Sequence, residues 1–298
     1  MTDTTTDTDT APNTVAVADT ARTARTAIVT GSASGIGAAT VLQLARQGYR
    51  TVGIDTNGEG AQAVAREAEQ LSAGRRRAAP SGPRARLASG AGTPVPGAPF
   101  HGLTHTAVTA DVSDEPKLID AFDQAVAFLG GLDVLVTSAG VGETTPWAEL
   151  SVAIFRSVYE INVIGTFLCI REAAKHMPRG GRICTIASVA GLRGGGLSGT
   201  AAYAASKGAV LALTKSAARS LAAQGICVNT VAPGATYTPM IAEHWKNDAH
   251  RTRVESMSVL NRTAEAREIA AGIVFLVSPQ ASAITGSTLV ADNGLMMY

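Results

Sequence analysis

The stretch Thr30-Gly31-Ser32-Ala33-Ser34-Gly35-Ile36-Gly37 decides the fold of this chain. It follows an apolar triplet, Ala27-Ile28-Val29, and opens a segment from Gly35 to Gln47 with helical patterning, so small residues carry the chain from strand to helix. The first N–H groups of such a helix have no intrahelical partner, and with the positive end of the helix dipole they form an anion site. Gly31 permits the tight turn, Gly35 lets a pyrophosphate approach the backbone, and Gly37 lets the helix pack closely on the sheet. Ser34 and Ile36 are the loop positions between them that face the same ligand. A second strand, Thr51 to Asp55, ends on a carboxylate 18 residues after Gly37. There an acid accepts hydrogen bonds from ribose hydroxyls and repels a 2′-phosphate, which predicts NAD(H) in preference to NADP(H).

Outward from this loop, apolar strand-like runs alternate with amphipathic segments, the pattern of a parallel sheet covered by helices on both faces. A helix is expected from about Glu59 to Leu71, and strands at Ala107 to Ala110, Val134 to Thr137, Ile183 to Ile186, Val228 to Val231 and Thr288 to Val290. With the first two this makes seven strands, and the predicted class is α/β: a Rossmann-type, doubly wound, seven-stranded parallel sheet. Residues 25 to 298 read as one domain behind a disordered polar tail, residues 1 to 24. From about Ser72 to His105 the rhythm stops. That stretch is rich in Ala, Gly, Pro and Arg, with Arg75, Arg76, Arg77, Arg84 and Arg86 clustered, and reads as a solvated, mobile insertion near the adenosine side of the dinucleotide site. Its arginines are the basic groups that could still reach a 2′-phosphate.

A formal net charge of +1 on 298 residues gives no global field for nucleic acid or an anionic membrane. No apolar run approaches the ~20 residues that span a bilayer, and the Asp- and Thr-rich start lacks the basic and apolar regions of a secretory signal. A cytoplasmic protein is expected. Cys169, Cys184 and Cys227 are widely spaced in apolar surroundings and read as buried thiols, and the five histidines show no metal-binding pattern.

A second motif, Tyr203-Ala204-Ala205-Ser206-Lys207, carries chemistry. Tyr203 and Lys207 are four residues apart and share a helix face, where an ammonium stabilises a phenolate that would otherwise form only near pH 10. The glycine loop and this motif, with Asn162 and Ser188 between them, resemble the short-chain dehydrogenase/reductase family over roughly residues 24 to 298. The resemblance implies hydride exchange between an alcohol or ketone and a nicotinamide dinucleotide. Tyr203 would serve as general acid/base, Lys207 would bind the nicotinamide ribose, Ser188 would hold the substrate oxygen, and Asn162 would hold a water linking the lysine to solvent.

The same resemblance implies adenine contacts from Asp111 and Val112 and a backbone approach at Ala139 and Gly140. It also implies nicotinamide contacts from Pro233, Gly234, Thr236 and Thr238. Thr137 and Ser138 replace the family's two asparagines before Ala139, which leaves the bracing role of the first without an obvious bearer. Substrate choice would rest on Leu192 to Ala202, on a lid from Pro239 to about Leu260 containing His244, Trp245 and Lys246, and on Trp147 as a third wall. No cationic cluster there demands an anionic substrate, so a neutral secondary alcohol or ketone is expected. Helices matching Phe155 to His176 and Ala205 to Ala223 would pair across a two-fold axis, in a homotetramer or homodimer. The competing readings are an NADPH-dependent 3-oxoacyl thioester reductase and a dinucleotide-binding regulator without turnover.

Overall fold

The computed structural model describes residues 24–78, 104–195 and 201–297. Its centre is a seven-stranded sheet in the order β3-β2-β1-β4-β5-β6-β9, every pair parallel. The strands are β1 (Thr26–Thr30), β2 (Arg50–Asp55), β3 (His105–Thr109), β4 (Val134–Thr137), β5 (Arg182–Ile186), β6 (Cys227–Pro233) and β9 (Thr288–Ala291). They are apolar on both faces because each face is covered. In β1, Ile28 points into a layer with Leu118, Phe122 and Leu129 of α3 (Glu115–Leu129) and Leu168 of α5 (Gly165–His176). Ala27 and Val29 point the other way, against Val41 and Leu44 of α1 (Gly35–Gln47) and Ile269 and Ile273 of α10 (Ala266–Val277). A slip of one residue would exchange the two layers, so the register Ala27–Val134 and Ile28–Leu135 is firmly specified.

Sequence order reverses where β1 is flanked by β2 and β4, and the loops leaving the carboxyl ends of these strands diverge into a crevice. The floor of that crevice is completed by a long helical run. It comprises α4 (Val152–Tyr159), a π-helical turn (Glu160–Ile164) and α5. The segment Val152–His176 has the length and composition to cross a membrane, contrary to the reading that no apolar run does so. Its apolar character serves packing: α5 lies against α3, and both α4 and α5 against α7 (Ala201–Leu221).

Two boundaries differ from expectation. Helix α2 (Gly58–Ala78) does not stop at Leu71, because Ala73, Ala78 and the three arginines between them are good helix formers that outweigh Gly74. Strand β3 begins at His105, two residues earlier than its apolar run suggests. Ser72 and His105 therefore belong to the core rather than to an insertion. The buried His105 ring has Ser72 Oγ 2.8 Å from Nε2 and Thr51 Oγ1 2.7 Å from Nδ1. Glu69 Oε2 accepts from both Thr104 N and Oγ1, at 2.7 and 2.9 Å. The middle of the expected insertion, residues 79–103 with Arg84 and Arg86, and the polar tail up to residue 23 lie outside the described residues. Cys169 and Cys184 are buried and burial pushes both thiols up to about 12, whereas Cys227 is only partly buried.

A second, two-stranded parallel sheet was not legible in the sequence: β7 (Thr236–Tyr237) pairs with β8 (Ala264–Glu265). It ties the segment after β6 to the start of α10. Between the two strands, α8 (Pro239–Ala242), a 3₁₀ turn (His244–Lys246) and α9 (Asp248–Glu255) fold over the crevice.

Candidate active site

The crevice is a cleft of about 660 Å³ running along the carboxyl ends of the strands. At one end stands the loop after β1. Gly31 has φ +66°, and a Cβ there would lie 2.6 Å from the Ala139 nitrogen. A Cβ on Gly37 would meet the Gly31 oxygen at 2.0 Å, so Gly37 lies behind the loop and closes it rather than facing the cleft. Thr30 Oγ1 accepts from Ala139 N at 3.2 Å, which ties the loop to the turn after β4. Thr137 Oγ1 is buried without a hydrogen-bond partner, so the threonine does not brace the sheet as an asparagine at its position would.

The N-cap of α1, Ser34, is extended and makes no side-chain cap, and the first turn of α1 carries no acid. Gly35 and Ile36 of that turn line the cleft, and the unpaired amides of a helix start suit an anion. Asp55 is held by two main-chain donors, Ala33 N to Oδ2 at 2.9 Å and Asn57 N to Oδ1 at 2.8 Å. Asp111 Oδ1 accepts from Ser113 N and Oγ at 2.9 and 2.7 Å. Both carboxylates, with Val112, line the same end of the cleft. An uncapped helix N-terminus with a glycine approach, and a fixed carboxylate a short distance away, fit the pyrophosphate and ribose of a dinucleotide.

Past Ala139 and Gly140 the cleft reaches Lys207, Tyr203 and Ser188. Lys207 Nζ lies 3.5 Å from where a Cβ of Gly140 would be, donates to Ile186 O at 2.8 Å, and stands 5.8 Å from the centre of the Tyr203 ring. Burial lowers its pKa to about 8. Ser188 follows β5 and caps α6 (Val189–Arg193), accepting from Ala190 N at 3.1 Å. Its hydroxyl is also hydrogen-bonded to the Tyr203 phenol. Desolvation raises the Tyr203 pKa and the Ser188 bond offsets only part of that, so the phenol is held protonated. This is opposite to the direction that the four-residue spacing of Tyr203 and Lys207 suggests. The physical reason is that both groups are withdrawn from water, Lys207 buried and Tyr203 partly so, and desolvation disfavours both charges.

Asn162 is fully buried behind the cleft wall, at 0% exposure, and does not line it. It sits in the π turn, where Thr166 Oγ1 donates to its main-chain oxygen at 2.8 Å. Its side chain accepts from Val141 N at 2.8 Å and donates to Val141 O and Ser206 Oγ, each at 3.0 Å. Ser206 Oγ in turn donates to Tyr203 O at 2.7 Å. Asn162 thus joins the loop after β4 to the helix that carries Tyr203 and Lys207.

Pro233, Gly234, Thr236 and Thr238 line the wall opposite, where a Cβ on Gly35 would meet Thr238 Cγ2 at 3.2 Å. Of the two tryptophans, Trp245 enters the cleft wall at 7% exposure, its Nε1 donating to Thr263 Oγ1 at 3.0 Å. Trp147 is 81% exposed and does not line the cleft, so it is not the third wall. Met240 and Glu143 occupy positions that the sequence did not single out. The signal that could have found Glu143 is its place three residues past Gly140, in the loop leaving a strand at the reversal of order.

Residues 99–296 match the sequence family described as enoyl-(acyl carrier protein) reductase, and residues 25–80 match short chain dehydrogenase. The chain is 37% identical over 273 residues to cis-4-hydroxycyclohexanecarboxylate dehydrogenase of Sinomonas cyclohexanicum, covering 91% of this chain and 96% of that one. The chain belongs to the short-chain dehydrogenase/reductase family. Family membership makes it an oxidoreductase of alcohol-type substrates that binds a nicotinamide dinucleotide. D-threitol dehydrogenase of Mycolicibacterium smegmatis is 34% identical, covering 91% of this chain and 92% of its own. Among solved structures, a dehydrogenase/reductase from Sinorhizobium meliloti aligns with a TM-score of 0.76 at 34% identity, covering 92% of this chain and 95% of that one. A short chain dehydrogenase from Burkholderia cenocepacia in complex with NADP aligns with a TM-score of 0.74 at 29% identity, covering 92% of this chain and 99% of that one.

Proposed function

We propose that this short-chain dehydrogenase/reductase interconverts a neutral secondary alcohol and its ketone with NAD(H). The observation that carries the reading is the meeting of the buried Ser188 and Lys207 with the partly buried Tyr203 in the same cleft that Asp55 and the start of α1 line. A bound nicotinamide dinucleotide would supply the hydride exchange. Asp55 and the amides of the glycine loop would hold its adenosine ribose and pyrophosphate. Asp111 and Val112 would face the adenine, Ala139 and Gly140 would admit the ribose, and Pro233, Gly234, Thr236 and Thr238 would hold the nicotinamide end.

In the reductive direction the protonated phenol of Tyr203 donates to the substrate oxygen, which Ser188 steadies by hydrogen bonding. In the oxidative direction the same oxygen returns its proton to Tyr203. The Lys207 ammonium favours the phenolate that each donation leaves behind. Asn162 keeps the helix of Tyr203 in register with the loop after β4. NAD(H) is favoured over NADP(H) because the fixed Asp55 carboxylate stands where a 2′-phosphate would add negative charge. The 32% identity to a 3-oxoacyl-[acyl-carrier-protein] reductase of Staphylococcus aureus supports a second reading, reduction of a 3-oxoacyl thioester with NADPH.

The test is reduction of NAD+ and NADP+ with a panel of secondary alcohols, polyols and 3-hydroxyacyl thioesters, beside a Tyr203→Phe variant. The expected result is NAD+ reduction that falls ~10²- to 10⁴-fold in the variant, with NADH binding retained. Preference for NADP+ and the thioesters would select the second reading. Cofactor binding without Tyr203-dependent turnover on any substrate would leave a binding protein.

A further inference from the structure

Ser188 caps α6 whereas Tyr203 and Lys207 stand on α7, so the spacing of the three depends on how these two helices meet. They touch through main chain. A Cβ on Gly191 of α6 would lie 2.6 Å from both the Gly208 nitrogen and the Lys207 carbonyl carbon, and 2.9 Å from the Lys207 oxygen. The reverse approach is looser, since a Cβ on Gly208 would meet the Gly191 oxygen at 3.5 Å, an ordinary contact. Gly191 N donates to Ser188 O at 3.0 Å and Ala190 N donates to Ser188 Oγ at 3.1 Å, which ties the serine to the body of α6. Two residues before Ser188, Ile186 O accepts from Lys207 Nζ at 2.8 Å. Lys207 therefore meets the segment 186–191 twice, with its side chain at one end and its main chain at the other.

An alanine at position 191 would need the helices to part by on the order of 1 Å, because carbon contacts settle near about 3.5 to 4 Å. Helix α7 is the fixed partner. It runs 21 residues, Thr214 Oγ1 is bonded to Thr185 Oγ1 of β5 at 2.7 Å, and Ser206 Oγ accepts from Asn162 Nδ2 at 3.0 Å, with all four residues at 0% exposure. Helix α6 has five residues and ends on Gly194 at φ +82°. The shorter element would yield, drawing its N-cap Ser188 away from Tyr203. We infer that Gly191 is a positioning residue: its missing side chain lets α6 approach α7 and so sets the distance from the Ser188 hydroxyl to the Tyr203 phenol. For its effect on turnover the inference rests on the dehydrogenase reading above. Gly191 is helical and its φ is outside the left-handed region, so alanine there meets no backbone strain and has the better helix propensity. A loss on substitution would come from the contact.

The test is steady-state kinetics of the full chain with NAD+ and a panel of secondary alcohols, for Gly191→Ala, Gly208→Ala, Ser188→Ala and the double variant Gly191→Ala, Ser188→Ala. Gly191→Ala is expected to lower kcat about 10- to 100-fold at unchanged KM for NAD+, since a misplacement of about 1 Å can cost that much. Gly208→Ala should keep full activity and an equal or higher melting temperature. In the Ser188→Ala background the change at Gly191 should cost little more, because the group that it displaces is gone. Titration of Tyr203 reads the same contact without substrate. Tyrosinate absorbance, taken as the difference from the matching Tyr203→Phe protein, should appear at higher pH in Gly191→Ala and in Ser188→Ala, and no higher in the double variant, because the Ser188 hydrogen bond holds the phenol pKa down. If Gly191→Ala does not fold, Gly208→Val adds methyl groups to the same contact from α7 and should give the same signature. Unchanged kcat and unchanged titration in the folded variant would overturn the role of Gly191, as would an equal loss with and without Ser188. Absence of turnover by the unaltered protein on every substrate would count against the dehydrogenase reading instead, and the titration would still decide Gly191.

Discussion

Lys207 carries its charge in the cleft wall at a cost in stability. Its ammonium is buried, and burial lowers its pKa from 10.5 to about 8. At ~1.4 kcal/mol per pH unit, that is a cost of about 3 kcal/mol whenever the group is charged. The folded protein binds the proton less well than the unfolded chain does, so stability rises with pH between about 8 and 10.5, and the penalty is complete below about 8. Lys207→Met removes the charge but also the bond to Ile186 O. We expect the variant to be inactive yet more stable by about 1 to 2 kcal/mol at pH 7. The gain should shrink as the pH approaches 10.5, as read by denaturant unfolding at several pH values. Equal or lower stability at pH 7 would show that the ammonium is compensated in the folded protein.

At the scale of elements, the site depends on how the lid is moored. Trp245 bonds to Thr263 Oγ1, which itself donates to Glu255 Oε1 at 2.9 Å, so the loop into β8 holds both the 3₁₀ turn and the end of α9. The following turn is fixed by Arg262, whose two guanidinium nitrogens each donate to Glu268 at 2.7 Å, while Glu268 Oε2 also accepts from Glu265 N as half of a capping box. Arg262 first, and the Glu265 amide second, hold the Glu268 carboxyl down at about 2. The pair is substantially solvent-exposed, so Glu268→Gln should cost about 1 kcal/mol or less. A carboxylate with a depressed folded pKa contributes its full stability above the unfolded value near 4.5 and loses it as the pH falls towards 2. Thermal melts of the two proteins should therefore differ at pH 7 and converge near pH 2 if the structure survives there. A difference that is unchanged by acid would remove the ion pair as its cause.

At the scale of the whole molecule, one apolar face is left uncovered by the described residues. Val152, Phe155, Tyr159, Ile164 and Phe167 along α4, the π turn and α5 are at least one-third exposed. Phe155 and Tyr159 stack at 6.5 Å. We propose that this face and α7 pair across a two-fold axis in a homotetramer or homodimer, as family resemblance implies. Light scattering should give a multiple of the 30.4 kDa chain mass. A Phe155→Glu, Phe167→Glu double variant should lower the assembly state, and a monomeric mass for the unaltered chain would reject the proposal.

Local pattern sufficed for much of this. The glycine loop, the strands at Val134 to Thr137 and Ile183 to Ile186, and the helix from Gly35 to Gln47 were legible because short apolar runs, period-3.6 patterns and turn glycines act over a few residues. Asp55, Tyr203, Lys207 and Ser188 were legible because they follow strand ends or share a helix face. Only the tertiary structure decided that Trp245 rather than Trp147 walls the cleft, since the choice depends on how the lid packs over loops more than 100 residues away. It also decided that Ser72 and His105 close a buried hydrogen-bonded cluster instead of bounding an insertion, and that β7 finds β8 across the lid. Glu143 is the sharpest case. One acid in a polar loop is unremarkable by pattern, and it comes to line the cleft only because Asn162 and Met240 hold that loop there. Sequence alone determined which residues could do the chemistry, because chemistry and local conformation reside in near neighbours. The fold decided which of the others line the cleft, because burial is set by long-range packing.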